Sequence, residues 1–194
     1  PWAPTLLKTL GVGLPLRARH ITVCYWKVKK DGFSAEDGYP TWYSKIITSR
    51  GHQGYIYSTP CFEFPDLIKV CYHDGPDVDP ESRDKVDVTW TVDAAAEFVK
   101  QHLKGVESKP SIVQSCIYTM FHRKGHRTPD RTCILDKHPR FKNIILGVGF
   151  SGAGFKLSPV YGKILCELAF DLKHSYDIRP FRLDRFENLP KSSL

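Results

Sequence analysis

Residues 143–168, NIILGVGFSGAGFKLSPVYGKILCEL, decide the fold class of this 194-residue chain. Residues 143–148 are mostly apolar and predict a strand that runs directly into a glycine-rich loop. Ser158 and Pro159 are typical of a helix start, and apolar residues then recur at helical spacing as far as Leu172. The stretch therefore predicts a strand, a glycine loop and a helix in direct succession.

The glycine loop contains a G-x-G-x-x-G pattern, from Gly147 to Gly152, which taken alone suggests a dinucleotide-binding fold. That fold needs a second strand ending in an acidic residue about 20 residues further on. The chain beyond Leu172 is too polar to supply such a strand. Two interpretations stay open: the loop admits a ligand whose negative charge the helix start favours, or the glycines serve tight strand-to-helix packing.

Upstream of this stretch, strands predominate. Alternating or β-branched runs predict strands at residues 21–28, 54–58, 67–72, 111–119 and 133–136. One amphipathic helix is predicted, with Asp93 as its N-cap and Gly105 as its stop. Residues 74–84 are too polar and proline-rich to form an element. The fold class predicted is α+β, with a mixed or antiparallel sheet.

Composition limits the class of protein. With 41% hydrophobic and 25% charged residues, the chain can bury one sizeable core, which excludes disordered, collagen-like and coiled-coil proteins. No apolar run approaches the roughly 20 residues that cross a bilayer, and no secretory signal opens the chain. Because the chain begins at Pro1 and its only methionine is Met120, it is expected to be a processed protein or a piece of a longer one, and a fragment is the favoured interpretation.

Positive charge is concentrated in one segment, because residues 120–140 carry +4 of the formal net charge of +7. This segment lacks interleaved aromatic residues and zinc-finger spacing, so a solvated loop is expected and a nucleic-acid partner is not. A non-catalytic binding module that uses residues 123–131 stays an alternative function, as does an inactive fragment. His122, His126 and Cys133 lack a fourth ligand at finger spacing, so no metal site is expected.

Two further sets of residues carry potential chemistry. Cys116 lies in a predicted strand that is rich in hydroxyl side chains, although a buried cysteine is more often only a small apolar residue. Lys69 and His73 are four residues apart, an even spacing that puts both on one side of a strand. They are either an inward-pointing pair or two solvated groups on the wet face of a sheet.

Four segments resemble the C-terminal half of the monomeric sarcosine oxidase family. They are TPCFEFPDLIKVCYHDG (59–75), SKPSIVQSCIYT (108–119), TCILDKHPRFKNIILGVGFSGAGFKLSPVYGKIL (132–165) and SYDIRPFRLDRF (175–186). The resemblance covers nearly the whole chain, with the S-C-x-Y-T and G-F-S-G-x-G-F-K motifs in the family's order. It implies an FAD enzyme that oxidises secondary amino acids such as sarcosine and L-pipecolate with O2 and releases hydrogen peroxide.

The resemblance also implies a domain organisation. Residues 1–110 would form part of the substrate domain. Residues 111–194 would supply the covalent-flavin strand, the loop over the flavin and the last helix of an FAD-binding domain whose N-terminal part is missing. A monomer is expected, with a carboxylate-bearing amino acid and molecular oxygen as its small-molecule partners, and with neither nucleic acid nor a membrane as a partner.

Five side chains are implied in substrate and oxygen chemistry. Lys69 matches the lysine that activates oxygen, and His73 matches the histidine near the substrate amine. Lys156 matches the lysine that holds the substrate carboxylate. Tyr57 and Tyr118 are similar to the tyrosines that line the substrate cavity. A fixed ammonium such as that of Lys69 would stabilise developing superoxide electrostatically.

The resemblance implies FAD bound covalently, through a bond from Cys116 to its 8α-methyl carbon. Small apolar packing is expected to explain the other five cysteines: Cys24, Cys61, Cys71, Cys133 and Cys166. The loop over the flavin would contribute the remaining cofactor-binding residues: Gly149, Phe150, Ser151, Gly152, Gly154 and Phe155.

The chain departs from the family pattern at four places, one of which is the region 39–55, which fits the family poorly. Ala153 stands where family members commonly have histidine, which removes one polar contact near the flavin. Residues 120–127, MFHRKGHR, are inserted directly after Thr119. Peroxisomal members end in a tripeptide such as Ser-Lys-Leu, whereas this chain ends in Ser192-Ser193-Leu194. A peroxisomal location is therefore expected on a weak signal, with the cytoplasm as the alternative.

Overall fold

The computed structural model describes residues 1–121 and 132–186. The helices are α1 (Ala3–Thr9), α2 (Thr89–His102) and α3 (Ser158–Ala169). The strands are β1 (Leu16–Lys27), β2 (Trp42–Ile47), β3 (Gln53–Pro60), β4 (Leu67–Tyr72), β5 (Ile112–Phe121), β6 (Ile134–Lys137) and β7 (Ile145–Val148). Short 3₁₀ turns occupy Pro80–Lys85, Phe155–Leu157, Arg179–Phe181 and Leu183–Phe186.

Five strands form one sheet in the order β2-β3-β4-β1-β5, and β6 and β7 form a separate two-stranded ladder. The pairings of β2 with β3, β3 with β4, β4 with β1 and β6 with β7 are antiparallel. The α+β class with an antiparallel sheet is thereby confirmed. The predicted strands agree with β1 and β3 to β7 to within a few residues, apart from an earlier start of β1.

The chain divides into two compact units. The sheet unit contains residues 19–117, and the terminal unit contains residues 1–18 together with the described residues from 118 onward. Residues 1–18 join the C-terminal part because Leu7, Val12 and Leu16 share a buried cluster with Phe121 and Ile134. The assignment of residues 1–110 and 111–194 to two functional domains stays a prediction, and the compact units do not follow that boundary.

The core of the sheet unit lies between the sheet and α2. Successive residues of a strand point to opposite faces, and the face toward α2 is mostly apolar. Its buried members include Cys24, Trp26, Ile56, Ile68, Val70 and Tyr72, which pack against Ala94, Ala95 and Val99 of α2. Trp26 Nε1 donates a hydrogen bond to the carbonyl oxygen of Val70 at 2.8 Å, so this buried polar atom is satisfied.

In the terminal unit, α3 packs against the β6–β7 ladder. Ile164 and Leu168 of α3 are buried with Leu135 and Cys133. A Cβ atom on Gly147 would lie 2.9 Å from Leu165 Cδ1, so the glycine is needed for close strand-to-helix contact. The packing interpretation of the glycine pattern therefore holds at this position.

Several boundaries differ from the prediction. Helix α2 begins at Thr89 rather than after Asp93, because Asp87 Oδ1 accepts a hydrogen bond from the backbone N–H of Thr89 at 2.9 Å. Ser158 is the first residue of α3 rather than its N-cap, and α3 ends at Ala169.

Four elements were missed or misjudged. Helix α1 and strand β2 were not predicted, and α3 stops short of the predicted apolar position at Leu172. Pro80–Lys85 form a 3₁₀ turn inside a segment that was expected to be a plain loop. Its start is capped by Asp79 Oδ1, which accepts from the backbone N–H of Glu81 at 3.0 Å.

Some expectations concern residues outside the described ranges. They are the basic segment 123–131, His122 and His126 beside it, and the C-terminal Ser192-Ser193-Leu194. Within residues 1–121 and 132–186, no cluster of three or more His, Cys, Asp or Glu is arranged to hold a metal ion. In the same ranges, none of the helices has both the length and the apolar content to span a membrane.

Candidate functional site

Most of the predicted site residues of the sheet unit lie on the face of the sheet opposite α2, which we call the Lys69 face. Its members alternate with the core residues along each strand, as the two-residue period of a strand requires. Tyr25 of β1 lies directly across from Lys69 of β4, and Tyr57 of β3 lies directly across from Cys71. The predicted placement of Lys69 and His73 on one side is consistent with this alternation, because His73 directly follows the end of β4.

The Lys69 ammonium lies among aromatic rings. Its Nζ is 5.8 Å from the centroid of the Tyr25 ring, within the range of a cation–π interaction. The Tyr25 ring in turn meets Phe64 edge-on at 4.9 Å. Lys69 is half-buried and Tyr25 is buried, so packing holds the charge close to the sheet. The environment is that of a fixed positive charge on a partly desolvated surface.

Cys116 packs against the same apolar cluster as Tyr25 and Cys71. Burial raises the pKa of the Cys116 thiol, the Lys69 ammonium acts in the opposite direction, and Cys71 acts to raise it. The pKa of the thiol is raised overall, so Lys69 only reduces the cost that burial places on the thiolate, the nucleophilic form of cysteine. The six cysteines are all free, and Cys166 is exposed, so apolar packing does not explain Cys166 as expected.

His73 lies between two tyrosine rings. The Tyr57 ring meets it edge-on with centroids 5.8 Å apart, and the Tyr43 ring does so at 6.0 Å. The backbone N–H of His73 donates to the carbonyl oxygen of Tyr55 at 2.7 Å, which fixes the residue just beyond the end of β4. This arrangement brings together Tyr57 and His73, both of which the resemblance implied.

Sequence reasoning missed Tyr25, Tyr43 and Tyr55 on this face. Tyr25 had a usable signal, because the alternation in residues 21–28 already separated it from Trp26. Tyr55 had the same signal, because it lies two residues before Tyr57 in the predicted strand 54–58. Tyr43 had none, since β2 was not predicted and its contacts depend on the register between β2 and β3.

In the terminal unit, the glycine loop packs against the end of β5. Gly149 has φ +76°, and a Cβ there would lie 2.6 Å from a ring carbon of Phe121. Gly152 has φ +81°, and a Cβ there would lie 2.7 Å from the Tyr118 ring. The backbone N–H of Ser151 donates to the carbonyl oxygen of Thr119 at 3.1 Å. These two glycines therefore admit the chain's own aromatic rings, and Tyr118 and the loop form one local structure.

Lys156 lies in the 3₁₀ turn immediately before α3 and is exposed. Its neighbour Phe155 is 94% exposed, which is unusual for so large an apolar side chain. The first turn of α3 contains no acidic residue, and its N-cap residue Leu157 makes no side-chain capping bond. An exposed lysine beside an uncapped helix start forms a positively charged end that suits an anionic group.

The predicted residues thus form two sets. Tyr57, Lys69, His73 and Cys116 belong to the sheet unit, and Tyr118, Lys156 and the glycine loop belong to the terminal unit. A cleft of about 510 Å³ lies beside α2, lined by Thr48, Ser49, Trp90 and Glu97 among others, and contains none of these residues. The chemistry-bearing groups of the sheet unit therefore lie on a face of the sheet away from that cleft.

The residues on the Lys69 face fit a flat, electron-accepting ring system such as that of FAD. A half-buried thiol is available for a covalent bond, and an ammonium is held on the same partly apolar face. A redox cofactor that takes up negative charge is stabilised by such a cation. The donor set is compatible with flavin and contains nothing that requires a metal.

Comparison with known proteins agrees with this chemistry. A protein-family profile described as FAD dependent oxidoreductase (DAO) matches residues 1–168. The peroxisomal sarcosine oxidase of Mus musculus is 43% identical, over 100% of this chain and 48% of its own length. The monomeric sarcosine oxidase of Bacillus sp. strain NS-129 is 30% identical, over 95% of this chain and 45% of its own length.

A likeness in fold extends to the amino acid oxidase NikD of nikkomycin biosynthesis. Its open form has a TM-score of 0.70 and 18% identity, and the match covers 94% of this chain and 46% of NikD. The chain therefore spans about half the length of the curated relatives and of the solved structure that it matches.

Proposed function

The chain belongs to the DAO family of FAD-dependent oxidoreductases, in which its relatives are sarcosine oxidases, and from that premise we propose that it is the C-terminal half of a flavin-dependent oxidase of secondary amino acids. The observation that carries this proposal is the common location of Lys69 and Cys116 on one half-buried face, where the ammonium acts on the thiol. Bound FAD would take two electrons from the substrate amine and pass them to O2, which yields hydrogen peroxide.

Lys69 is the oxygen-activating residue in this proposal. Its ammonium is held near the Tyr25 ring at 5.8 Å, so little reorganisation is needed to stabilise negative charge that develops on oxygen. A preorganised charge in a partly desolvated site acts more strongly than the same charge in water. Cys116 would tether FAD at the 8α carbon; burial raises the pKa of its thiol, and the charge of Lys69 offsets part of that rise.

Tyr57, His73 and Tyr118 would position the substrate. The edge-on contact between Tyr57 and His73 fixes the orientation of the imidazole, which would lie near the substrate amine. Their aromatic surfaces would exclude water from that amine. Tyr118, held against Gly152, would contribute a further wall of the substrate site.

Lys156 would bind the substrate carboxylate, and the glycine loop would lie over the flavin. The exposed lysine at the start of α3 supports this assignment, because a carboxylate there gains a charge-assisted hydrogen bond and a favourable helix end. The loop residues proposed for the cofactor are Gly149, Phe150, Ser151, Gly152, Gly154 and Phe155.

The whole enzyme would contain an upstream half with the adenine and pyrophosphate site. The matched length of the relatives supports this, as does the exposure of Phe155. We propose a monomer in the peroxisome, on the names of its relatives. L-pipecolate is proposed as a substrate beside sarcosine.

The first test is purification of the parent protein. A yellow protein with the visible spectrum of oxidised flavin, which produces peroxide from sarcosine or L-pipecolate, supports the proposal. A colourless parent protein that binds no FAD contradicts it. Residues 1–194 alone, with added FAD, are expected to produce no peroxide from sarcosine. Measurable turnover would contradict the proposal that activity needs an upstream half of the enzyme.

The role of Lys156 is tested by Lys156→Ala in the parent protein. Loss of one charge-assisted hydrogen bond is worth about 1.5–3 kcal/mol, so KM for sarcosine should rise roughly tenfold to a hundredfold. Sarcosinamide, which has no carboxylate, should be affected much less. The matched control is Lys173→Ala, another exposed lysine of the terminal unit. An equal loss with both compounds would remove Lys156 from the carboxylate site.

A further inference from the structure

The Lys69 ammonium is held on its face by an aromatic ring and not by a counter-ion. Its Nζ lies 5.8 Å from the centroid of the Tyr25 ring, and Tyr25 is the residue of β1 directly across from it. Within residues 1–121 and 132–186, the ammonium makes no hydrogen bond and no ion pair. A lysine charge sits on a flexible four-carbon stem. The contact with the ring is therefore what restricts its position.

The Tyr25 ring is itself fixed by its surroundings. Tyr25 is 4% exposed and belongs to a buried cluster with Val23 and Cys71. Phe64, from the loop between β3 and β4, meets the ring edge-on with centroids 4.9 Å apart and an interplanar angle of 79°. Edge-to-face packing is a favoured arrangement of two aromatic rings. The ring that contacts the ammonium is thus a rigid part of the sheet unit.

Glu63 is the acidic residue whose charge acts on Lys69, but it does not fix the ammonium. It lies on the same loop as Phe64 and is exposed, and its Oε2 accepts a hydrogen bond from Cys61 Sγ at 3.2 Å. Water and salt screen the interaction of an exposed carboxylate with a nearby cation. Glu63 therefore attracts the ammonium weakly, and the ring of Tyr25 determines where it lies.

We propose that Tyr25 is a positioning residue for oxygen activation, whose ring holds the Lys69 ammonium in place without neutralising it. The inference rests on the proposed function, in which Lys69 stabilises the negative charge that develops on oxygen. That stabilisation requires a charge that is already in position. A neutral ring meets this requirement, whereas a carboxylate in contact with the ammonium would oppose the field that Lys69 supplies. Phe64 supports Tyr25 from the side and acts through it.

The test measures reoxidation of the flavin in the full-length, flavin-loaded enzyme. The flavin is photoreduced without oxygen and then mixed with O2, so that no amine substrate is needed. Tyr25→Leu should slow reoxidation per bound flavin by a factor of roughly three to thirty, the value of one partly desolvated cation–π contact. Tyr25→Phe should retain the rate, because it keeps the ring. The matched control is Tyr72→Leu, which truncates a buried tyrosine on the α2 face of the same sheet and should also retain the rate.

A double-mutant cycle distinguishes positioning from general packing. In the Lys69→Met enzyme, the further change Tyr25→Leu should cause no additional slowing, because the ring acts through the ammonium. Equal slowing with and without Lys69 would overturn the proposal, as would equal slowing in Tyr72→Leu or a Lys69→Met enzyme that reoxidises at the unsubstituted rate. Glu63→Gln should change the rate by less than about twofold. A larger loss there would assign the positioning to a counter-ion instead of the ring.

Denaturant unfolding of the same variants gives a readout that does not depend on oxygen. The effects of Tyr25→Leu and Lys69→Met on the unfolding equilibrium constant should be coupled by a factor of about two to five, as expected for a cation–π contact near the surface. Absence of coupling would overturn the contact, and coupling in stability without coupling in the reoxidation rate would overturn the role in oxygen activation. If the unsubstituted enzyme binds flavin but oxidises neither sarcosine nor L-pipecolate, the proposed function fails, and these two measurements still decide the role of Tyr25.

Discussion

The two faces of the five-stranded sheet differ in what their side chains do, although the same strands supply both. On the α2 face, Trp26, Ile56, Ile68 and Val70 have no exposed surface. On the Lys69 face, the charged Lys69 is half-buried among aromatic and sulfur-bearing groups. The difference teaches that neighbouring residues of one strand can separate stability from chemistry. A substitution on the α2 face should therefore lower stability and leave turnover nearly unchanged, and one at the adjacent position on the Lys69 face should do the reverse.

The largest effect is expected at Cys116, where the outcome is all or none. In the full-length protein, Cys116→Ser should abolish covalent flavin, so that denaturation releases all FAD. The serine hydroxyl is not deprotonated as a thiol is, and no other cysteine is expected to take its place. The measurement is flavin fluorescence on the denatured polypeptide in a gel.

The matched controls for this experiment are the other cysteines, above all Cys166→Ser, which changes an exposed thiol. These variants should retain covalent flavin. Flavin that survives denaturation of Cys116→Ser would show that the site is assigned wrongly. Complete release from the unsubstituted enzyme would remove the covalent bond from the proposal.

The next largest effect is expected on the α2 face. Ile68→Ala removes a fully buried side chain of β4 and should lower the free energy of unfolding by about 2–5 kcal/mol, from lost burial and the cavity that remains. Turnover per bound flavin should change little, because the side chain points away from the Lys69 face. Denaturant unfolding and activity normalised to flavin content measure the two quantities. A loss of turnover without a loss of stability would contradict the separation of the faces.

One residue further along β4, the opposite result is expected. Lys69→Met should slow reoxidation of the reduced flavin by O2 about 10²-fold, the typical effect of one preorganised electrostatic donor, and reduction by substrate should change less. Stability should change little, because the methionine keeps most of the apolar stem. Stopped-flow experiments measure flavin reduction and flavin reoxidation separately. The control is Lys100→Met, which changes an exposed lysine. Equal slowing of both half-reactions would indicate misfolding instead.

Strand periodicity made much of this comparison predictable from the sequence. In β4, the apolar residues Ile68 and Val70 alternate with Lys69 and Cys71, so the alternation alone distinguishes the two faces of the strand. The family was also predictable, because the sequence motifs that indicate it are specific. Strands β3 and β4 agree with their predicted ranges to within three residues.

Contacts between side chains of different strands were not predictable from the sequence. The contact of Tyr43 with His73 depends on the register of two hairpins, and a single sequence does not determine that register without knowledge of the turns. The glycine loop shows the same limit. A G-x-G pattern indicates close approach, but the group that approaches Gly149 is Phe121, which is distant in the sequence. Long-range pairing, rather than local propensity, decided these features.

The smallest expected effect is the loss of stability as the pH falls. On the α2 face, His20 is 2% exposed, and within the described residues its Nδ1 has no hydrogen-bond partner. Burial lowers the pKa of His20, and Asp84 only partly opposes this. The folded protein therefore disfavours protonation, while the unfolded chain takes up the proton near the ordinary pKa of about 6.5. The stability held by neutral His20 is complete above that pH and is lost as the pH falls below it.

Because His20 takes up a single proton, the free energy of unfolding can change by at most about 1.4 kcal/mol per pH unit. Glu167 of the terminal unit, whose pKa is lowered to about 2 by Lys163 and Ser175, loses its contribution only as the pH falls below about 4.5. Acid between about pH 6.5 and 5 should therefore act mainly through His20. Denaturant midpoints at three pH values in this window should fall with pH in the unsubstituted protein and stay flatter in His20→Gln. His52→Gln, an exposed histidine of the same unit, should leave the dependence as it was. Identical pH dependence in His20→Gln and the unsubstituted protein would assign the acid sensitivity to another group, because a side chain that takes up no proton on unfolding contributes nothing to the slope.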